Sequence, residues 1–124
     1  MGLDLKFHVL KNPNVVQGDS STLPMSVVGF DRQYEVFATL TKIDGYPEPV
    51  LKVRDLPQGM FVYMHGEEGL EKRRENPYGE DLVFCYAKDL KGLRLPESTT
   101  ALNKAAFQFV KALPDDTPIV IEWR

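Results

Sequence analysis

Apolar and polar residues alternate at the start of the chain, with Leu3, Leu5, Phe7 and Val9 on one side and Asp4, Lys6 and His8 on the other. That period of two predicts a strand over Leu3 to Val9 with one face on a core and the other in water. The next stretch, Lys11 to Pro24, gathers Asn12, Pro13, Asn14, Gly18, Asp19, Ser20, Ser21 and Thr22. These residues favour turns over ladders, so a long loop is expected there. From Asp31 two periods compete: Tyr34, Phe37, Ala38 and Thr41 fit a helical face, while Tyr34, Val36, Ala38 and Leu40 fit a strand. A helix is expected, because Asp31 offers a capping carboxylate and Asp44, Gly45, Tyr46, Pro47 supplies a stop. The β-branched Val36, Thr39 and Thr41 pull the other way.

Leu51 and Val53 oppose Lys52 and Arg54, which predicts a short strand over Val50 to Arg54. Met60 to Met64 and Leu82 to Ala87 are apolar on both faces, as central strands are, and are expected to pair with each other. Leu102, Ala106, Phe109 and Leu113 recur at helical spacing, widened by Ala105, Phe107, Val110 and Ala112. Ser98 or Thr99 is the candidate cap of that helix and Pro114 closes it. A last strand, Ile119 to Trp123, points Ile119, Ile121 and Trp123 inward. As a sheet edge at the chain's end it offers a second copy a strand to pair with. Two helices packed on a single-layer sheet of about five strands account for the pattern, a mixed α/β (α+β) fold in one domain over residues 1–124.

Composition narrows the function classes. The 124 residues are 43 % hydrophobic and 27 % charged, which suits one packed domain rather than a disordered tail. Fifteen basic against eighteen acidic residues leave a net charge of −3 with no basic half, which argues against nucleic acid as a partner. The single cysteine, Cys85, stands in the apolar run Leu82 to Ala87 and reads as a buried thiol. Without an apolar leader or a run of about eighteen apolar residues, a cytoplasmic chain with no membrane contact is expected.

The sharpest candidate for function is the excursion from His65 to Asp81, with six acids and three bases in seventeen residues. Long connections inside small domains tend to carry function. Its middle has short-helix character, since Glu68 and Lys72 are four apart and Asn76, Pro77 ends the run. His65, Glu68, Glu71, Lys72, Arg73, Arg74 and Tyr78 are the expected binding residues: the arginines for bidentate contacts, and Tyr78 as a rigid anchor with a polar tip. His65 with Glu67, Glu68, Glu80 and Asp81 has the donor types for a divalent metal or an acid/base pair. The spacing matches no metal motif, there is no phosphate loop or dinucleotide fingerprint, and Cys85 has only His8 and His65 as bases, so neither metal nor cofactor is expected.

Arg32, Tyr34, Phe37 and Leu40, followed by Gly45, Tyr46 and then Arg54, Asp55, Leu56, Pro57, resemble a pattern of small uncharacterised phage and prophage proteins, Arg-x-Tyr-x-x-Phe-x-x-Leu before a Gly-containing link and Arg-x-Leu-Pro. The resemblance spans about a quarter of the chain and implies an origin, with no catalytic residue to carry over. The expected function is an accessory protein that binds an unidentified protein partner through the charged segment, self-association included. A small hydrolase or metal-dependent enzyme using His65 and the loop acids, and a sequestering protein holding a small anion on Lys72, Arg73 and Arg74, are the alternatives.

Overall fold

The computed structural model describes residues 3–11 and 21–124. Most of the expected long loop, residues 12–20, lies outside the described residues. In chain order the elements are β1 (Leu5–Val9), β2 (Ser21–Thr22), β3 (Ser26–Gly29), α1 (Tyr34–Phe37), β4 (Arg54–Asp55), β5 (Phe61–Gly66), β6 (Gly69–Arg73), β7 (Val83–Tyr86), α2 (Ala87–Lys91), α3 (Ala101–Lys111) and β8 (Pro118–Trp123). The class is mixed α+β, as the hydrophobic pattern implies. The strands form two sheets rather than one: a five-stranded sheet in the order β3-β1-β8-β7-β4 and a three-stranded sheet in the order β2-β5-β6. Among the described residues there are three helices, one more than expected, and none is long and apolar enough to cross a membrane.

The two faces of the large sheet meet two different cores. Leu5, Phe7 and Val9 of β1, Ile119 and Ile121 of β8 and Cys85 of β7 pack with Phe37, Leu90, Phe107 and Val110 from the helices. Phe7 and Phe107 meet edge-on with centroids 6.1 Å apart, and Phe30 lies 4.7 Å from Phe7, geometries that suit the ring quadrupoles. On the opposite face Leu82, Phe84 and Val120 pack with Met60, Val62 and Met64 beneath the small sheet. The strand expected to be wet on one side is therefore covered on both where His8 stands.

Several expectations are corrected. Met60–Met64 and Leu82–Ala87 do not pair with each other; β5 pairs with β6 and β2, while β7 pairs with β8 and β4. β5 is apolar on both sides because Val62 and Met64 enter the second core while Phe61, on the outer side, is covered by the Lys72 ammonium 4.8 Å from its ring centroid. β8 is no edge: it sits at the centre of the large sheet, paired with both β1 and β7, so it has no free side for a second copy. The edges are β3 and β4.

The helix expected from Asp31 is the single turn α1, capped by Gln33 without a side-chain bond. Thr39 bonds the Val36 carbonyl through its hydroxyl at 2.7 Å, competing with the ladder that would prolong the helix. Asp31 instead accepts from the Thr100 hydroxyl and, through its backbone, bonds Asn103. Thr100, not Ser98 or Thr99, caps α3 by accepting from the Asn103 amide. That helix buries Asn103, Ala106, Phe107 and Val110, whereas Leu102 and Phe109 of the expected stripe are 54 % and 41 % exposed. Asn103 is fully buried because its amide ties Asp31 and Gln33 to the helix, and the stripe is rotated to place it inward.

Candidate functional site

The charged excursion is neither a loose loop nor a helix. Its first half is a β-hairpin in which His65 faces Leu70, Met64 faces Glu71 and Val62 faces Arg73 across β5 and β6, with Glu67 and Glu68 at the turn. Glu68 and Lys72 therefore do not form a helical pair. Gly69 follows the turn at φ 111°, a backbone region in which side chains are strained, and closes the hairpin opposite Gly66. The second half is a tight turn organised by Asn76, whose side-chain carbonyl accepts from the Tyr78 and Glu80 amides.

The expected binding residues are consequently dispersed. Arg74 is structural: its guanidinium donates to the carbonyls of Pro57 and Met60 at 3.2 and 3.1 Å and pins that turn to the hairpin. Lys72 lies over Phe61, Glu68 projects from the turn, and Glu71 pairs loosely with Arg73 at 3.7 Å. Tyr78 is further along, where with Pro77 it borders a shallow hollow beside Asp4, Phe30, Lys6 and Arg124. His65 is exposed on the hairpin and does not meet Glu80 or Asp81 in a ligand set. Among the described residues no group of three His, Cys, Asp or Glu side chains is placed to hold a metal ion. Cys85 is fully buried, and burial pushes its thiol up to about 12, with the Asp89 charge adding to the effect. A thiol in that state is not a nucleophile at neutral pH.

Arg73 and His65 instead join residues from the other sheet. Between the hairpin and the β1–β3–β8 face lies a cleft of about 280 Å³, lined from below by Lys6, His8, Val27, Glu122 and Arg124 and from the hairpin by Met64, His65, Leu70 and Arg73. Leu23 and Pro24, which lead from β2 to β3, form its side. The strand register explains the grouping. Lys6 is the cross-strand neighbour of Glu122, and His8 stands two residues on along the same face, opposite Val120 on β8 and Val27 on β3.

His8 and Glu122 are each 3 % exposed, and His8 Nε2 lies 2.9 Å from Glu122 Oε1. Burial opposes the charge on Glu122, yet the hydrogen bond and charge of His8, with Arg124 and Lys6 nearby, hold its carboxyl below the usual range. The carboxylate thus accepts from Nε2–H. The other ring nitrogen, Nδ1, is buried with no hydrogen-bond partner, the one such side-chain atom among the described residues. Buried polar atoms are nearly always paired, so this orphan beneath the cleft floor stands out. Three cations, Lys6, Arg73 and Arg124, face one ionised carboxylate there, a surplus of positive charge in a chain that is net negative.

Sequence reasoning found Arg73 and His65 but missed His8, Lys6, Glu122 and Arg124. The signal available was weak: Glu122 inside an otherwise inward-facing strand, and His8 at the matching place in the first strand. No family model, no curated protein and no solved structure matches the chain.

Proposed function

We propose that the chain acts by binding, and that the cleft beneath the β5–β6 hairpin receives a small organic anion. The observation that carries this reading is the cleft's charged lining, where Lys6, Arg73 and Arg124 meet the single carboxylate of Glu122. A cation surplus in a partly enclosed, low-dielectric space attracts an anion more strongly than the same charges in open water. The cleft's volume is close to the lower bound of about 300 Å³ usual for small-molecule sites. Of the three functions the sequence suggests, this one retains the sequestering protein, with Arg73 kept as a contact and Lys6 and Arg124 taking the places of Lys72 and Arg74. An accessory role of phage type is compatible with it, although none of Arg32, Tyr34, Phe37, Leu40, Arg54 or Leu56 borders the cleft.

The test is a thermal melting series with organic carboxylates and phosphate esters, on the native chain and on Arg73→Gln. A bound anion at a hundred times its dissociation constant stabilises the fold by about 2.7 kcal/mol. Arg73→Gln is expected to fold normally, because Arg73 is partly exposed and its one ion pair is loose, and to lose most of the shift. An absence of any shift across the series would refute the proposal. A protein partner on the hairpin is the second reading, favoured by Leu70, which is 53 % exposed among charged neighbours. It would show as partner capture lost in Leu70→Ser while anion binding, measured with Arg73 intact, stays detectable.

A further inference from the structure

We infer that two copies of the chain pair through the outer edge of β3, joining their large sheets about a two-fold axis at Val28. The first observation is that this edge is open. The large sheet ends in β3 on one side and β4 on the other. β4 is two residues long, and both Arg54 and Asp55 are charged and exposed, a combination that discourages pairing. β3, made of Ser26, Val27, Val28 and Gly29, has neither charge nor proline, and among the described residues no strand lies on its outer side. A methyl group built on Gly29 would meet nothing within 4 Å.

The second observation is the direction of the backbone. Asp4 and Arg124 exchange backbone bonds of 2.8 and 2.9 Å, and the Leu10 amide donates to the Pro118 carbonyl. Even-numbered residues of β1 therefore turn their amides and carbonyls to β8, and odd-numbered ones turn theirs to β3. Ser26 and Val28, opposite Val9 and Phe7, face back towards β1, which leaves the amides and carbonyls of Val27 and Gly29 pointing out of the sheet. An axis normal to the sheet keeps each face on its own side, so even residues must oppose even ones. With Val28 opposite itself, Val27 of each copy opposes Gly29 of the other, and every outward group of both strands is satisfied.

The third observation names the occupant. Val27 and Met25 are 50 % and 55 % exposed, and on the neighbouring helix Leu102 and Phe109, which with β3 line a shallow groove, are 54 % and 41 % exposed. A lone peptide strand would satisfy the backbone and leave the helix uncovered. A second copy adds its own α3 on the same side of the sheet, so that the apolar residues of both helices flank one axis. Half of these four side chains with the strand edge between them gives about 500 Å² per copy, or about 1,000 Å² for the pair, the lower limit for a specific interface. A dimer with a dissociation constant on the order of micromolar is therefore expected.

Sedimentation of the native chain over about three decades of concentration around that value is the test. The mass is expected to rise from 14.1 kDa towards twice that value and to stop there. The double change Leu102→Glu with Phe109→Glu, on exposed helix positions, is expected to stay monomeric with an unchanged circular dichroism spectrum. Cross-linking reads the register, since Cys85 is buried and does not compete. Val28→Cys is expected to form a disulfide-linked dimer on oxidation, because directly opposed residues bring their Cα atoms within disulfide range, whereas Val27→Cys is expected to stay unlinked. A native chain that is monomeric throughout, a mass that climbs past the dimer, or a glutamate variant that still dimerises would overturn the proposal. Cross-linking of Val27→Cys in place of Val28→Cys would overturn the register. Neither result touches the anion cleft, whose cations Lys6, Arg73 and Arg124 stay in place in every variant.

Discussion

Substitution of His8 by leucine isolates the energetics of the buried pair. The change removes the 2.9 Å bond and leaves the Glu122 carboxylate at 3 % exposure with Arg124 alone at 3.7 Å, from a side chain that is 41 % exposed. Breaking a buried pair by removing one partner costs about 3–5 kcal/mol, and the remaining arginine places this case at the lower end, about 3 kcal/mol. For a domain of this size that is a fall in melting temperature of about 12 °C. Urea unfolding at pH 7 measures it. The pH dependence carries a sign. In the native chain the Glu122 carboxyl is held below its ordinary value, so its contribution is present above that value and is lost as pH falls through the lowered one. In the His8→Leu chain, desolvation without the histidine raises the carboxyl, so the native state binds the extra proton and the deficit shrinks as pH falls from 7 towards 4.5. The double change His8→Leu with Glu122→Leu removes the whole pair and is expected to recover most of the loss, since apolar replacement of a buried pair is often neutral or stabilising. A single-variant loss below about 1 kcal/mol, or a double variant as unstable as the single one, would refute the account of the pair.

Two further predictions concern the scaffold. Asn103→Leu strands the backbone amide and carbonyl of Asp31 that Asn103 now satisfies, and is expected to cost about 2–3 kcal/mol in urea unfolding, with Asn103→Asp costing no less because it sets a buried carboxylate oxygen against the Asp31 carbonyl and the Gln33 side-chain oxygen. Gly66→Ala places a methyl group on the Glu71 carboxylate, which is the mobile end of a partly exposed side chain, so the loss of stability is expected to stay below about 1 kcal/mol. Displacing Glu71 also frees Arg73 from its acidic neighbour, so an organic carboxylate that stabilises the native chain is expected to bind the Gly66→Ala chain at least as tightly as the native one; weaker binding would show that Glu71 orients Arg73 rather than competing for it.

The fold class was legible in the sequence because the period-two and helical patterns are strong in β1, β8 and α3, where one face meets a large core. What could not be read was the second core. A single period tells which residues share a face, and for Leu3 to Val9 it correctly separated Leu5, Phe7 and Val9 from Lys6 and His8. It does not tell whether water or another sheet lies over the polar set. The polar set is covered because β5 and β6 fold back over it, and that hairpin was disguised by its turn and its outer face: Glu67, Glu68 and Lys72 make the segment resemble a solvated loop. Charge density and the Glu68–Lys72 spacing suggested a solvated excursion with a short helical middle, where the charges mark the wet side of a two-stranded roof.

The same disguise scattered the candidate site. Proximity along the chain grouped Lys72, Arg73 and Arg74, yet consecutive residues on a strand point to opposite faces. Of the three, only Arg73 lines the cleft, while Lys72 covers Phe61 on the outside and Arg74 holds the Pro57–Met60 turn. The residues that join Arg73 come from the two ends of the chain, His8 and Glu122 being 114 positions apart. Two polar residues in apolar strands, each unremarkable alone, become a site only through the antiparallel register of β1 and β8, which sets Lys6 across from Glu122 and leaves His8 one step further in. Such a pair is costly to bury and is not needed to hold a sheet whose other face is filled by phenylalanine and isoleucine. The anion-binding proposal gives that pair, beside a rim of cations, a role that the packing of the sheet does not.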